Sequence, residues 1–480
     1  MVMEQQGMAY RQREKARLND RDLDERIDNA PFGKKTKELA KKWKKYESFG
    51  GVGWGLFNIT PIIERAEGPY LYDADGKQYV DFLSGFSVSS LGNNNTAITN
   101  IIQEQAGKLT HFFDFPHIER VKLAEKLVKN SKMSGNSKVV FGVTGSDAIE
   151  LAVRAARYYT GNPYILTAYG DYHGVTYGTM GLTSKGNMQP FFSPVLPERS
   201  VGYFPFPHEY RTESDEYSGY TIESLRKFIR MLEGKETPYT DGVQGINNVA
   251  AILVEPFQSS AGYYIPPVEY LRELRKVADE HGMLLIIDEI QTGLGRTGKL
   301  WAFEHSDIEP DMICTSKALG GGLPLSAVIA KEEILMEWGP GAHVSTQAGN
   351  VLACAAGCHV LDTVSSDEFL AGVNERGVYL RAGLDALQKK HPIIGYIENR
   401  GIYTGVELVL DRKTKKPAVE ASAFVRDRCV EEGLLYEKGG YYHNRMQLIP
   451  PLNIEKSVID QALEILDRVF GDAETAFKIA

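Results

Sequence analysis

Several side chains able to do chemistry stand at the ends of apolar runs in this 480-residue chain. In ICTSKALGGGLPLSAV, Lys317 directly follows the strand-like run MICTS, so its ammonium lies at or near the carboxyl edge of a sheet. Desolvation there favours the neutral amine, a nucleophile able to condense with a carbonyl compound. Gly320, Gly321 and Gly322 permit a tight turn beside a bulky ligand. Alone, the position also suits a structural or surface lysine. Asp288 ends the apolar run of LLIIDEIQTGLGRTG. A carboxylate there needs a partner: the backbone of the strand end, or a cationic group such as a protonated ring nitrogen. Glu289 then reads as the outward-facing member of the pair.

Two further stretches suit a flat, anionic ligand. In GVTGSDAIELAVRAARYYTG, Gly145, Ser146 and Asp147 sit between an apolar run and an amphipathic helix. A helix N-terminus offers unpaired N–H groups and partial positive charge, which favour a phosphate. Ser and Asp also cap helices that bind nothing. In YGDYHGVTYGTMGLTS, Tyr172 and His173 follow the run YILTAY. An aromatic ring there can stack on a heterocycle or simply pack in the core.

These residues need a scaffold, and the rest of the pattern supplies one. KVVFGV, YILTAY, AAILVEP, LLIIDEI, MICTSK and SAVIAK read as strands buried on both faces, with helical periodicity between them, as in Ala148, Leu151, Ala152, Ala155, Ala156 and Tyr159. That alternation predicts an α/β fold with a doubly wound, mostly parallel sheet. Ahead of it, YLYDADGKQYVDF predicts a hairpin. After about residue 370 the texture becomes helix (GVYLRAGLDALQKKH), strand (YTGVELVL), helix (ASAFVRDRCVEEG), strand (RMQLIPP) and helix (VIDQALEILDRVF). We read residues 1–46 as a charged arm whose KKTKELAKKWKKY forms a solvated basic helix, either exposed or covering a neighbouring subunit or the site mouth. Residues 47–95 and 371–480 read as the two parts of a small α+β domain, and 96–370 as a large domain.

Bulk properties narrow the function. The 54 Lys and Arg against 63 Asp and Glu give a net charge of −9, which argues against nucleic acid as a partner. The first residues, MVMEQQGMAYRQREK, hold no apolar segment, so no secretory leader is expected. Met283 to Ile287 is far too short to cross a bilayer. The four cysteines, Cys314, Cys354, Cys358 and Cys429, read as buried free thiols rather than disulfides or metal ligands, with the cytosol as compartment. Cys354 and Cys358 lie in ACAAGC, a small-residue helix packed closely on something.

Taken together, ILVEPFQ, IIDEIQTGLGRTGKLWAFEH, PDMICTSKALGGGLPLSAV and STQAGN resemble the class III aminotransferases, pyridoxal 5'-phosphate (PLP) enzymes of fold type I, from about residue 56 to about 470. The resemblance implies a seven-stranded sheet in the large domain. It implies Lys317 as the Schiff-base lysine and Asp288 as partner of the ring nitrogen. It implies Tyr172 stacked on the ring with His173 beside it, and Gly145 and Ser146 in the phosphate cup with Asp147 alongside. Gln291 is similar to a glutamine near the cofactor's phenolic oxygen, and Glu255 to a carboxylate near cofactor and substrate. Thr346 resembles a phosphate ligand from the neighbouring subunit, which implies a homodimer with a shared site and leaves a tetramer open. Arg400, in ENRGIYTGVEL, matches an arginine that clamps a substrate carboxylate; alone, it also reads as a surface residue. The implied reaction is ping-pong transfer of an amino group from a small-molecule donor to an oxo acid.

Three departures bear on the substrate pocket. Ser260, in QSSAGYY, stands where many members carry an acid; LGNNN replaces Gly-His-x-His-Pro; and AGNV lacks a proline after Asn350. DYHGVTYGT, PFPHEYRTE and GAHVSTQAGN resemble the family's racemase/epimerase branch, which is the alternative reading, although Ser260 replaces the aspartate of that branch. A non-catalytic scaffold is the alternative of another class, and intact Lys317, Asp288 and Tyr172 speak against it.

Overall fold

The computed structural model describes residues 20–47, 60–111, 113, 115–184, 200–211, 221–232 and 248–479. The expected hairpin forms as part of an antiparallel meander of β1 (Ile63–Glu67), β2 (Tyr70–Asp73) and β3 (Gln78–Asp81). Seven strands build the central sheet: β4 (Ser137–Gly142), β5 (Tyr164–Ala168), β6 (Val201–Phe204), β7 (Val249–Val254), β8 (Leu284–Asp288), β9 (Met312–Thr315) and β10 (Ser326–Lys331). Their order is β4-β10-β9-β8-β7-β5-β6, with β10 antiparallel to both neighbours and the other pairs parallel. Six of the seven are the apolar runs of the sequence; β6 is the addition.

The strands are apolar throughout because both sheet faces are covered. Val254, Leu285, Ile287 and Ile313 join the core on one face. Their alternates Leu253, Leu284, Ile286 and Met312 pack on the other, against Ala148, Leu151, Ala152, Ala155 and Ala156 of the helix Gly145–Thr160. The period-2 alternation of a strand thus distributes one apolar run between two cores. The chain leaves β4, β5, β7, β8 and β9 at the same edge of the sheet, where open α/β sheets bind their ligands.

The C-terminal part adds β11 (Ile394–Arg400), β12 (Tyr403–Asp411), β13 (Lys416–Pro417), β14 (Leu434–Leu435), β15 (Glu437–Gly439) and β16 (Arg445–Leu448). β14 pairs in parallel with β3, so this region extends the N-terminal meander. The helices Asp367–Lys390, Val419–Glu432 and Lys456–Phe477 fall on the expected segments. The basic helix forms at Lys34–Tyr46, yet its segment is docked on one side rather than fully solvated. Ala30 and Phe32 pack with Tyr79, Val430 and Leu435, and Asp75 accepts the helix's first N–H groups from Lys35 (3.0 Å) and Thr36 (2.7 Å). Among the described residues no helix is long and apolar enough to cross a membrane.

Candidate active site

The carboxyl edge of the sheet gathers the acids and the amine singled out in the sequence. Asp288, the last residue of β8, is buried; its Oδ1 accepts the Ile290 N–H at 3.0 Å. Its Oδ2 lies 2.7 Å from His173 Nδ1. His173 is therefore behind Asp288, and Tyr172, half-buried, is the aromatic of the pair that remains open to a ligand. Burial works against the His173 cation, but Asp171 and Asp288 overcome it and raise its pKa to about 10. Glu289 does not face outward. It is buried, takes the Thr292 hydroxyl at 2.7 Å and the Phe303 N–H at 2.9 Å, and anchors the loop that carries Gln291.

Glu255 follows β7. Its two carboxylate oxygens accept the N–H groups of Tyr172 (2.8 Å) and Ser259 (2.9 Å) as well as the Ser259 hydroxyl. It thereby ties the aromatic loop to the 255–264 segment. Burial, followed by the neighbouring Asp171 and Asp288, pushes Glu255 up to about 8.

Lys317 opens the turn after β9 at φ +44, a left-handed conformation that a non-glycine residue adopts only where its surroundings impose it. The small-residue helix Val351–Val364 is one such constraint: a Cβ on Gly357 would lie 2.8 Å from the Leu319 carbonyl oxygen. The Lys317 amine donates to Gln291 Oε1 at 2.9 Å. Burial lowers its pKa to about 8 against the opposing pull of Asp288 and Glu255. Gln291 Nε2 in turn donates to the Tyr263 hydroxyl at 2.6 Å. Tyr263 was not legible as a site residue; an aromatic pair after a Gly reads as core. It is buried, left-handed at φ +60 and stacked on Tyr403 at 4.1 Å.

The helix Gly145–Thr160 begins at the same edge. Thr144 caps it, and Asp147 Oδ2 accepts the N–H groups of Val143 and Thr144, both at 3.0 Å. Asp147 thus organises the turn ahead of the helix, while Gly145 and Ser146, as the first two helical residues, have no carbonyl one turn earlier for their N–H groups. A Cβ on Gly145 would stand 3.1 Å from Ile290, so the helix start packs against the residue two past Asp288. Arg400 ends β11 exposed. Burial and the Arg400 cation push neighbouring His305 down to about 4, and the His305 ring stacks on Phe257 at 5.6 Å. Thr346 is exposed and makes no hydrogen bond within the chain among the described residues.

A family model described as Aminotransferase class-III matches residues 56–470. The chain belongs to the class III aminotransferase family. It is accordingly a PLP-dependent enzyme, and the edge just described fits that cofactor. A partly buried amine of lowered pKa, a buried carboxylate, a half-buried aromatic and a helix start with open N–H groups are the chemical types that an aldehyde, a ring nitrogen, a ring face and a phosphate would each require. The chain is similar both to aminotransferases and to racemases. It is 34% identical to the alanine/serine racemase of Pyrococcus horikoshii over 93% of this chain and 92% of that protein. It is 34% identical to the acetylornithine aminotransferase of Caldanaerobacter subterraneus subsp. tengcongensis over 87% and 96%. The structure of an S-selective transaminase from Arthrobacter sp. with alanine bound aligns with a TM-score of 0.79 at 28% identity, covering 92% of this chain and 98% of that one.

Proposed function

We propose that the chain is an aminotransferase that carries its cofactor on Lys317 and moves an amino group from an amine or amino acid to an oxo acid in two half-reactions. When bound, PLP supplies an aldehyde that captures the amino group and a ring that withdraws electrons from the substrate carbon. The chain's own residues do the rest. Lys317 Nζ, lowered to about 8, would take the proton from the substrate carbon and deliver it to the cofactor's former aldehyde carbon, on the far side of the linking nitrogen. Asp288 holds a proton on the ring nitrogen, and His173 fixes Asp288. Tyr172 would stack on the ring. The Gly145 and Ser146 N–H groups hold the phosphate, with Thr346 added from a second copy in a homodimer. Gln291 would serve the phenolic oxygen, Glu255 would lie near cofactor and substrate, and Arg400 would clamp a substrate carboxylate. The four buried free thiols support a reducing, cytosolic setting.

Position 260 carries this reading over racemisation. A racemase must supply acid/base groups to both faces of the substrate carbon. Ser260 offers no ionisable group in the useful range. The similarity to alanine/serine racemase favours the second reading, an amino-acid racemase or epimerase on the same site.

Incubation with one amino acid, no oxo acid and deuterated solvent separates the two. An aminotransferase converts its cofactor to the pyridoxamine form, and pyruvate or 2-oxoglutarate restores it. Deuterium at the α-carbon with loss of optical rotation, and an unchanged cofactor, overturns the aminotransferase reading.

A further inference from the structure

A second buried acid lies behind Asp288, and the reaction as proposed does not use it. Asp171, one residue before Tyr172, is wholly shielded from solvent. Its Oδ2 accepts the Glu255 N–H at 3.1 Å and its Oδ1 the Gln258 side-chain amide at 2.8 Å. The Gln258 amide is itself fixed, donating to the Tyr169 carbonyl at 2.7 Å and accepting the Tyr441 hydroxyl. Both Asp171 oxygens thus face N–H donors, which together with the His173 ring favour the ionised carboxylate against the burial that raises its pKa. The same Oδ2 stands 3.6 Å from His173 Nε2. His173, itself without solvent contact at its side chain, is held between two acids.

We propose that Asp171 is a positioning residue for the cofactor: its carboxylate holds the His173 ring doubly protonated, so that an imidazolium grips Asp288 opposite the ring nitrogen. This rests on the role given to Asp288 above.

The contact of His173 Nδ1 with Asp288 at 2.7 Å requires a hydrogen on Nδ1 in either state of the ring. At Nε2 the Thr167 hydroxyl, 3.1 Å away, can donate to a bare nitrogen or accept from an N–H, so hydrogen bonding leaves the choice open. Charge decides it. The groups that face the ring are Asp171 on its own loop, Asp288 from β8, Glu255 from β7, and the neutral hydroxyls of Thr167 and Thr183; Lys317 lies beyond Asp288. Burial opposes the cation, and the second carboxylate tips the balance towards it. An imidazolium then finds an acceptor for each N–H, with Asp171 as counter-charge.

The test is a pH titration of the full-length holoenzyme labelled with [15N]histidine, His173 being assigned by the signal lost in His173→Gln. Both ring nitrogens of the wild type are expected to stay protonated from about pH 6 to about pH 9. In Asp171→Asn the ring is expected to lose its proton about one to three pH units lower, and the absorbance of the bound cofactor to change its pH dependence. A wild-type ring with one bare nitrogen near neutral pH overturns the proposal, whether or not the variant folds. So does an Asn variant that keeps both protons over the same range. Failure of cofactor attachment at Lys317 would instead remove the reading of the site and leave this titration unchanged.

Discussion

The Lys317 amine and the Gln291 side-chain oxygen stand 2.9 Å apart, and Tyr263 holds the other end of that amide at 2.6 Å. The nucleophile therefore has a fixed resting place, two hydrogen bonds away from Tyr263, whose own backbone is held at φ +60.

Burial lowers Lys317 from its ordinary 10.5 to about 8, and only the neutral amine, populated above that pKa, attacks an aldehyde. The rate at which cofactor-free protein captures PLP should rise with pH through about 8 and level off above it. Stopped-flow absorbance measures this. A rate still climbing towards 10.5 contradicts the lowered value.

Arg400 is exposed, and among the described residues no carboxylate pairs with it, so it is available to a substrate acid. Removing one charge-assisted clamp in Arg400→Ala should raise KM for carboxylate-bearing substrates about 10- to 100-fold. KM for simple amines should change little. Steady-state kinetics on both substrate types check this, and equal effects on both would take Arg400 out of the clamp.

Glu407 lies at the heart of a buried charge network. It accepts Arg211 Nε at 2.8 Å and Arg445 Nη1 at 3.1 Å, while Arg445 Nη2 reaches Glu398 at 2.6 Å and the Tyr263 carbonyl at 3.2 Å. Glu407→Gln leaves two buried guanidiniums short of counter-charge and should cost about 3–5 kcal/mol. Denaturant unfolding with an unchanged slope measures it; a loss below about 1 kcal/mol would show the network to be replaceable.

Asp311 is nine-tenths or more buried, between Arg275 at 2.7 Å, Lys331 at 2.7 Å and the Leu285 N–H at 2.8 Å. Burial raises its pKa, but these partners outweigh it and leave the carboxyl below its ordinary value. Because the folded pKa is depressed, the stabilisation is present above the unfolded pKa of about 3.9. It is lost as pH falls through the folded value. Acid unfolding should therefore shift to lower acidity-dependence in Asp311→Asn, which is also less stable at neutral pH. An unaltered acid-unfolding profile contradicts the assignment.

The sequence was most legible where burial is continuous. β7 and β8 are buried at every residue, and a run such as LLIID has no other reading once helices flank it. β6 escaped because four residues that include Gly202 carry no period. β11, with Gly395 inside and a polar Glu-Asn-Arg end, escaped for the same reason. Within the site, residues that end strands were legible, whereas partners that meet only through the fold were not. Asp171 is 117 positions from Asp288 yet one imidazole away, and nothing local in GDYHG distinguishes a carboxylate that binds a ligand from one that neutralises a histidine. Glu289 was misread because the loop that returns to cover it, through Thr292 and Phe303, belongs to tertiary structure.

The central claim is that the Lys317 nitrogen carries the cofactor. Borohydride reduction of the holoenzyme, followed by proteolysis and mass mapping, tests it most directly. The account predicts one pyridoxyl-phosphate adduct, on the peptide containing ICTSKALGG and at Lys317. An adduct on any other lysine, or none at all with cofactor bound, would contradict it.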